Sequence, residues 1–150
     1  MKRLVLLATM ALGVLQATAQ LNPVTWEFSV IKTGDKMYEV MMKATIQDNW
    51  HLYSQNQPED AIVIPTAFTF NPNPLFSREG KVSETGKMEK YSDKTLGISA
   101  HQYSNSVTFV QKIKMKAKAK TNLTGSVEYQ TCDDKKCLPP KTVTFSIPIR

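Results

Sequence analysis

Cys132 and Cys137 are the residues of this chain with the clearest potential for chemistry, and they are its only cysteines. They lie in the stretch YQTCDDKKCLPP, where four charged residues separate them and two prolines follow. Such a pair could form a structural disulfide that closes a hairpin, or a redox pair that exchanges disulfides with a partner. The spacing is C-x4-C rather than the C-x-x-C of thioredoxin-like enzymes, so spacing alone leaves both possibilities open.

Simple energetics make a purely structural disulfide weakly motivated. The bond is geometrically easy across a hairpin, because facing residues of paired strands have Cα atoms about 4.5–5.5 Å apart. However, closing so short a loop contributes only roughly 2 kcal/mol. The charges inside the loop do not predict the thiol pKa, since Asp133 and Asp134 oppose Lys135 and Lys136.

The first 19 residues have the pattern of a secretory signal peptide. Lys2 and Arg3 precede an apolar run from Leu4 to Leu15, and Ala17-Thr18-Ala19 offers a small-x-small cleavage site. The apolar run is shorter than the ~20 residues that a spanning helix needs. We therefore predict cleavage after Ala19, an exported mature chain over residues 20–150, and no stable membrane insertion after cleavage. Export would place the cysteines where disulfides form and persist.

The mature segment is long enough for one domain with its own hydrophobic core. The net charge of the full sequence is +6, and removing Lys2 and Arg3 leaves +4. This modest, dispersed charge comes without any nucleic-acid-binding motif, so no nucleic-acid partner is expected. The two histidines, His51 and His101, lack ligand spacing relative to the cysteines, and no nucleotide or phosphate fingerprint is present. We predict neither a metal site nor a cofactor.

Period-two alternation of apolar residues predicts a chain made almost entirely of β-strands. Between Leu75 and Tyr103 the pattern weakens, and we expect one or two short strands with a mobile loop at YSDKTLG. The lysines of Ser106–Lys120 alternate with apolar residues, which is typical of the solvated side of an antiparallel sheet. Seven to nine strands without an amphipathic helix predict an all-β, immunoglobulin-like β-sandwich. The clearest candidate strands are Val24–Lys32, Lys36–Gln47, Trp50–Ser54, Ile64–Phe70, Ser106–Lys120, Gly125–Thr131 and Lys141–Ile149.

The cysteine stretch resembles a known family. GSVEYQTCDDKKCLPPKTVTFSIPI is similar to the C-terminal part of the N-terminal periplasmic domain of DsbD, a thiol-disulfide interchange reductase. Tyr129, Gln130, Cys132 and Cys137 match the family pattern Y-Q-x-C followed by a second cysteine, and a hydrophobic residue and Pro-Pro follow here as in the family. The resemblance implies an immunoglobulin-like fold and a catalytic pair, Cys132 and Cys137, with Tyr129 and Gln130 lining the site. It further implies that Cys137 joins the partner and Cys132 resolves the mixed disulfide.

Two more stretches are similar to the same family. DNWHLYSQ resembles its D-G-x-x-L-Y segment, whose aromatics line the redox site, and this implies that His51 and Tyr53 lie beside the cysteines. YSDKTLG resembles the cap loop that covers the cysteines until a partner docks. That loop would consist here of Asp93, Lys94, Thr95, Leu96 and Gly97, with Thr95 and Leu96 where the family has an aromatic. Asp93, Tyr53 and His51 are then the polar groups expected to tune the thiols. The alternatives are that Tyr53 only packs with its hydroxyl satisfied, that His51 is a strand-surface residue, and that Asp93 only starts a turn.

The resemblance implies a thiol-disulfide oxidoreductase of the protein-disulfide reductase type. Such a protein would take electrons from a transmembrane thiol reductase and pass them to thioredoxin-like periplasmic proteins, a role connected in the family with cytochrome c maturation. The alternative, from a different class, is a secreted immunoglobulin-like binding module in which the hairpin disulfide is structural. The reduction potential of the disulfide distinguishes the two.

Overall fold

The computed structural model describes residues 21–95 and 97–150, so the predicted signal peptide and Leu96 of the predicted cap loop lie outside it. The described residues contain nine strands and no helix. None of their segments is a helix long and apolar enough to cross a membrane. The strands are β1 Val24–Gly34, β2 Met37–Ile46, β3 His51–Tyr53, β4 Ala67–Phe70, β5 Phe76–Asp93, β6 Ile98–Met115, β7 Thr121–Tyr129, β8 Thr131–Cys132 and β9 Lys141–Ile149.

The larger sheet is organised around β6. On one edge β6 pairs with β5 along most of its length, and its other edge is shared by two strands. β2 occupies the C-terminal half of that edge, with Met37 opposite Lys114 and Thr45 opposite Ser106. β3 occupies the N-terminal half, with Tyr53 opposite Gln102, and β8 extends the sheet beyond β3. The sheet order is therefore β1-β2-β6-β3-β8, and all of these pairings are antiparallel.

The second sheet, β4-β7-β9, packs against the first through an aromatic core. The Trp26 ring on β1 lies 5.5 Å from that of Tyr129 on β7, and the Phe68 ring on β4 lies 5.0 Å from that of Phe109 on β6. These side chains occur at every second position of their strands, so alternation directs each of them into the space between the sheets. The described residues thus form an immunoglobulin-like sandwich, as the sequence predicts.

The strand predictions agree with the structure where alternation is strong. β9 spans Lys141–Ile149, the range predicted for it, and β1 and β2 agree within two residues at each end. On β6, Ile113 is buried while Lys112 and Lys114 are exposed, which confirms that the lysines line the solvated side of the sheet.

The prediction for Leu75–Tyr103 is wrong. Two strands of 18 residues each, β5 and β6, run through this region as one long hairpin. The alternation on β5 is weak because most of its side chains are exposed, so few apolar residues mark its inner face. Irregularities in the β5–β6 pairing between Glu79 and Ser83 and between Gly86 and Met88 interrupt the pattern further.

The predicted end of the lysine-rich strand is also wrong. β6 ends at Met115 rather than at Lys120, and Ala117 and Ala119 are exposed. The Ala119 amide donates a hydrogen bond to the Ala117 carbonyl at 3.1 Å in a tight bend that leads into β7. The alternating lysines and alanines continue through this bend, so the sequence pattern extends beyond the strand.

Candidate functional site

Cys132 and Cys137 are joined by a disulfide at one end of the sandwich, in the hairpin that connects β8 to β9. Cys132 ends β8, and Cys137 faces it as an isolated antiparallel bridge with a Cα–Cα distance of 4.0 Å. The Asp133 amide donates to the Lys136 carbonyl, and the Leu138 amide donates to the Thr131 carbonyl, each at 2.9 Å. Backbone hydrogen bonds inside and outside the disulfide therefore hold the two cysteines opposite each other.

Asp133 stabilises the turn between the cysteines. One of its carboxylate oxygens accepts hydrogen bonds from the Lys135 amide at 2.8 Å and the Lys136 amide at 2.7 Å. These two donors lower the pKa of the Asp133 carboxyl, and the nearby lysine charges contribute in the same direction. This carboxylate is thus used by the backbone of the loop.

An open cleft of about 330 Å³ lies beside the disulfide, and both cysteines line it. Its walls come from four parts of the chain: β3, the segment before β4, the β5–β6 hairpin and the cysteine hairpin itself. Much of the lining is apolar or aromatic, which is the character expected of a site that receives another molecule's side chain. Besides the cysteines the lining consists of His51, Tyr53, Ile62, Val63, Tyr91, Ile98, Ser99, Ala100, Gln102, Asp133 and Asp134.

The two sulfurs are in different environments. Cys132 is only 4% exposed and packs in a small cluster with Tyr53 and Ala100, separate from the main core. Cys137 is exposed to solvent. Disulfide exchange needs direct access of a thiolate to a sulfur, and Cys137 is the more exposed residue of the pair.

The aromatic side of the cleft is built by two tyrosines. Tyr53 is 5% exposed, whereas Tyr91 on β5 is 48% exposed. Burial raises the pKa of the Tyr53 hydroxyl, and the nearby Tyr91 adds to the shift. The Tyr53 carbonyl accepts a hydrogen bond from the Thr66 hydroxyl at 2.6 Å, which fixes the strand against the segment that precedes β4.

His51 lies next to the cysteines, as the resemblance implied. It is paired with Cys132 across β3 and β8, and its side chain is 21% exposed. Its Nε2 atom lies 3.5 Å from the Asp134 carboxylate, inside the loop between the cysteines. Its Nδ1 atom lies 3.1 Å from the Ser104 hydroxyl on β6. His101 is elsewhere, with its Nδ1 atom 2.8 Å from the Asn56 carbonyl.

The segment predicted to be a cap forms the tight turn between β5 and β6. The Asp93 carboxylate accepts a hydrogen bond from the Thr95 amide at 2.9 Å, and Gly97 has a positive φ of 66°. Of the described residues on either side of this turn, Tyr91 before it and Ile98 after it line the cleft. An aromatic side chain is therefore present beside the cysteines, but on strand β5 rather than in the turn.

Tyr129 and Gln130 are behind the hairpin rather than in the cleft. Tyr129 is 2% exposed and packs against Trp26 in the main core. The Gln130 side chain donates to the Leu138 carbonyl at 3.3 Å and accepts a hydrogen bond from the Ile64 amide at 3.2 Å. Gln130 thus connects the cysteine hairpin to the segment that carries Ile62 and Val63, and both residues support the site from outside.

Several residues of the cleft were missed by sequence reasoning. Ile62 is 76% exposed, and with Val63 it forms an apolar rim inside an otherwise polar stretch, QNQPEDAIVIP. An apolar run bounded by prolines and acidic residues, without strand alternation, was a signal that could have marked this rim. Tyr91 and Ile98 flank the predicted cap and are brought to the cleft by the β5–β6 pairing.

The fold and the site together define a class of protein: an immunoglobulin-like sandwich with a disulfide in a hairpin at one end, beside an apolar cleft. Among the described residues, no group of three or more His, Cys, Asp or Glu side chains is placed to hold a metal ion. The sequence profile of the family described as "Thiol:disulfide interchange protein DsbD, N-terminal" matches residues 18–148. The chain belongs to this family.

Solved structures show the same fold. The DsbD N-terminal domain of Neisseria meningitidis in the reduced form is 18% identical, with a TM-score of 0.56 over 83% of this chain and 84% of that one. The same domain in complex with the PilB N-terminal domain is 19% identical, with a TM-score of 0.55 and coverages of 85% and 86%. The N-terminal periplasmic domain of ScsB from Proteus mirabilis is 13% identical, with a TM-score of 0.58, and the match covers 86% of this chain and 47% of that one. No curated protein sequence matches the chain.

Proposed function

We propose that this chain is a periplasmic thiol-disulfide exchange protein that takes electrons from a transmembrane thiol reductase and passes them to thioredoxin-like proteins. The observation that carries the proposal is the placement of the exposed Cys137 beside an apolar cleft, with Cys132 buried behind it. Membership of the DsbD N-terminal family supports the chemistry. The related domain of Neisseria meningitidis, found in complex with a PilB domain, supports a protein partner.

Reduction of the chain would begin at Cys137. A thiolate of the electron donor attacks the Cys137 sulfur, the Cys132–Cys137 bond breaks, and the electron pair remains on Cys132 as a thiolate. A second thiolate of the donor then attacks the mixed disulfide and releases Cys137. The donor leaves as a disulfide and the chain holds two reduced sulfurs, so two electrons have moved.

Delivery of the electrons would run in the opposite direction. The Cys137 thiolate attacks the disulfide of a thioredoxin-like protein and forms a mixed disulfide with it. Cys132 attacks the Cys137 sulfur, restores the internal disulfide and releases the reduced partner. In this scheme Cys137 exchanges and Cys132 resolves, which is the order that the resemblance implied and that the exposure of Cys137 supports.

The surface around the disulfide is suited to docking. Ile62 and Tyr91 are large and exposed, and both line the cleft that holds the cysteines, the first from the segment before β4 and the second from β5. Exposed apolar side chains around a concave site are typical of protein interaction surfaces. We propose that these two residues contact the partner while Tyr53 and His51 line the reacting centre, with Asp93, Lys94, Thr95 and Gly97 forming the adjacent turn.

A redox titration combined with trapping tests the function. The oxidised protein is equilibrated with dithiothreitol or glutathione buffers. The Cys132→Ser variant is incubated with a thioredoxin-like protein that lacks its own resolving cysteine and whose remaining cysteine is held as a mixed disulfide with thionitrobenzoate, which the Cys137 thiolate displaces. We expect a reduction potential above about −300 mV and a stable mixed disulfide through Cys137. The Cys137→Ser variant is the matched control and should form much less of this complex.

The opposite result would identify a structural disulfide. A potential below about −300 mV, together with no trapped complex, is the behaviour expected of a secreted binding module. The proposed processing is tested separately. Protein purified from the periplasm of an expressing bacterium should have the intact mass and N-terminal sequence of a chain that begins at Gln20. A chain that retains residues 1–19 would contradict cleavage.

A further inference from the structure

A chain of polar contacts links strand β5 to the loop between the cysteines. The Ser104 hydroxyl on β6 donates a hydrogen bond to the Glu89 carboxylate on β5 at 3.0 Å. The same hydroxyl oxygen lies 3.1 Å from Nδ1 of His51 on β3. The other nitrogen of that ring, Nε2, lies 3.5 Å from the Asp134 carboxylate. A single histidine thus connects the sheet to the reactive hairpin.

These contacts determine which nitrogen of His51 titrates. The Ser104 hydroxyl has one hydrogen, and it is given to Glu89, so the hydroxyl oxygen must accept from His51. Nδ1 therefore carries a hydrogen whether the ring is neutral or charged. Nε2 is the nitrogen that gains or loses a proton, and it faces the loop between the cysteines.

The position of His51 relative to Cys132 gives this proton a chemical consequence. The two residues are directly opposite in the β3–β8 pairing, so their side chains leave the same face with Cβ atoms about 4.5–5.5 Å apart. Both also line the cleft. When Cys137 is attacked, the negative charge appears on the Cys132 sulfur, which has little contact with water. A buried thiolate is unfavourable unless an opposite charge lies nearby.

We propose that His51, when its ring is positively charged, stabilises the Cys132 thiolate that leaves as a partner attacks Cys137. The attacking thiolate forms a bond to the Cys137 sulfur, the disulfide breaks, and its electron pair stays on Cys132. No proton has to move, because the imidazolium acts through its charge. Each attacking thiolate therefore reacts faster when Nε2 is protonated. This inference deepens the proposed exchange function and rests on it.

Histidine is the side chain type that ordinarily changes its charge between about pH 5 and 8, and the other ionisable groups that face His51 are of different types. Backbone hydrogen bonds lower the pKa of the Asp133 carboxyl, and burial raises the pKa of the Tyr53 hydroxyl. β6 contributes Ser104 and Gln102, neither of which ionises in this range. The titratable and charged groups around His51 are Asp133, Asp134, Lys135 and Lys136 on the hairpin, Tyr53 on β3, and Glu89 and Tyr91 on β5.

The test is the reduction of the oxidised protein by dithiothreitol between pH 5 and pH 8, with each rate constant divided by the concentration of dithiothreitol thiolate. We expect the wild-type value to fall about threefold to tenfold as pH rises. A nearby cation lowers the pKa of the leaving thiol and makes it leave faster, and this effect is lost when the cation loses its charge. The corrected rate constant of His51→Gln should not change with pH and should equal the low value that wild type reaches at pH 8. His101→Gln replaces the other histidine and is the matched control; it should retain the wild-type fall.

A flat wild-type profile would overturn the inference, as would equal profiles for wild type and His51→Gln. A second measurement needs no variant: the nitrogen chemical shifts of His51 should show the Nδ1–H tautomer above the ring's titration, and an Nε2–H tautomer would contradict the assigned contacts. Because dithiothreitol replaces the protein partner, this assay is independent of trapping. If no partner complex is trapped but the dependence on His51 persists, the proposed function fails while the electrostatic role of His51 stands.

Discussion

Cys137 is exposed at the surface of the hairpin, whereas Cys132, to which it is bonded, is 4% exposed and packed against Tyr53 and Ala100. This difference arises because β8 pairs with β3 and draws Cys132 into the sheet, while Cys137 follows the turn. The disulfide therefore joins one exposed residue and one buried residue. An exchange reaction with a defined order of steps needs this kind of asymmetry.

The two thiols of the reduced protein should react at different rates with iodoacetamide. We expect Cys137 to be alkylated about tenfold faster than Cys132, because the reagent must reach the sulfur and burial disfavours the reactive thiolate. Brief alkylation followed by peptide mass spectrometry measures both rates in one sample. Equal alkylation rates for Cys132 and Cys137 at several pH values would show that their difference in exposure is lost on reduction.

Replacement of the rim residue Ile62 by aspartate should impair partner reactions selectively. We expect the rate constant with a thioredoxin-like protein to fall about tenfold, the loss of roughly 1.4 kcal/mol of docking energy. Reduction by dithiothreitol should change less than twofold, because Ile62 is not bonded to the cysteines. Ile31→Asp is the matched control, since Ile31 is an isoleucine 50% exposed on β1. Equal effects of the two substitutions would exclude a specific role for the rim.

Asp133→Asn should lower thermal stability in a pH-dependent way. In the folded chain, hydrogen bonds from the Lys135 and Lys136 amides hold the pKa of Asp133 below its usual value. A depressed pKa means that the stabilisation is complete above the unfolded value, about 3.9, and is lost as pH falls through the folded value. Melting temperatures of both proteins should therefore differ at pH 6 and converge below about pH 4. Asp35→Asn, in the turn between β1 and β2, controls for a general charge effect.

Tyr103→Phe should destabilise the domain by about 1–2 kcal/mol at pH 7, because it removes a hydrogen bond to a carboxylate. The Tyr103 hydroxyl donates to Glu84 at 2.7 Å, and Glu84 also accepts from the Ser54 hydroxyl and the Gln55 amide. Burial, and then Glu84, raise the pKa of Tyr103. A raised pKa gives stabilisation that is complete below about pH 10 and is lost at higher pH.

Urea unfolding at pH 7 and near pH 10.5 measures both parts of the Tyr103 prediction. The difference between wild type and variant should shrink at the higher pH. Tyr38→Phe removes an exposed hydroxyl that donates to the Arg150 carbonyl at 3.1 Å, and we expect a smaller effect from it. A Tyr103→Phe variant as stable as wild type at pH 7 would contradict the assigned network.

The sandwich could be predicted from the sequence wherever one face of a strand is apolar. Trp26 and Phe28 on β1 and Phe145 and Ile147 on β9 mark their inner faces at every second position, and those strands were found. β5 could not be found in this way. It is held by backbone pairing to β6 and presents mostly exposed side chains, so the interaction that forms it leaves little trace in the hydrophobic pattern.

The candidate site was predictable as far as its local motifs extend. Cys132, Cys137, His51 and Tyr53 belong to short stretches that resemble the family, and the structure brings all four to one cleft. Ser104 and Glu89 could not be connected to His51 from the sequence, because their contact depends on the register of β5 on β6 and of β6 beside β3. Strand registers of this kind depend on the tertiary structure, and the identity of a single residue does not predict them.

The two halves of β6 serve different neighbours. From Ser106 to Lys114 it pairs with β2 within the core of the sandwich, whereas at Gln102 and Tyr103 it pairs with β3, which carries His51 and Tyr53. The cluster around Cys132 is separate from the main core, although Leu52 on β3 and Tyr103 on β6 belong to that core. Substitutions that change partner choice or redox behaviour could therefore accumulate at one end of a single strand, while the framework that keeps the domain folded stays the same.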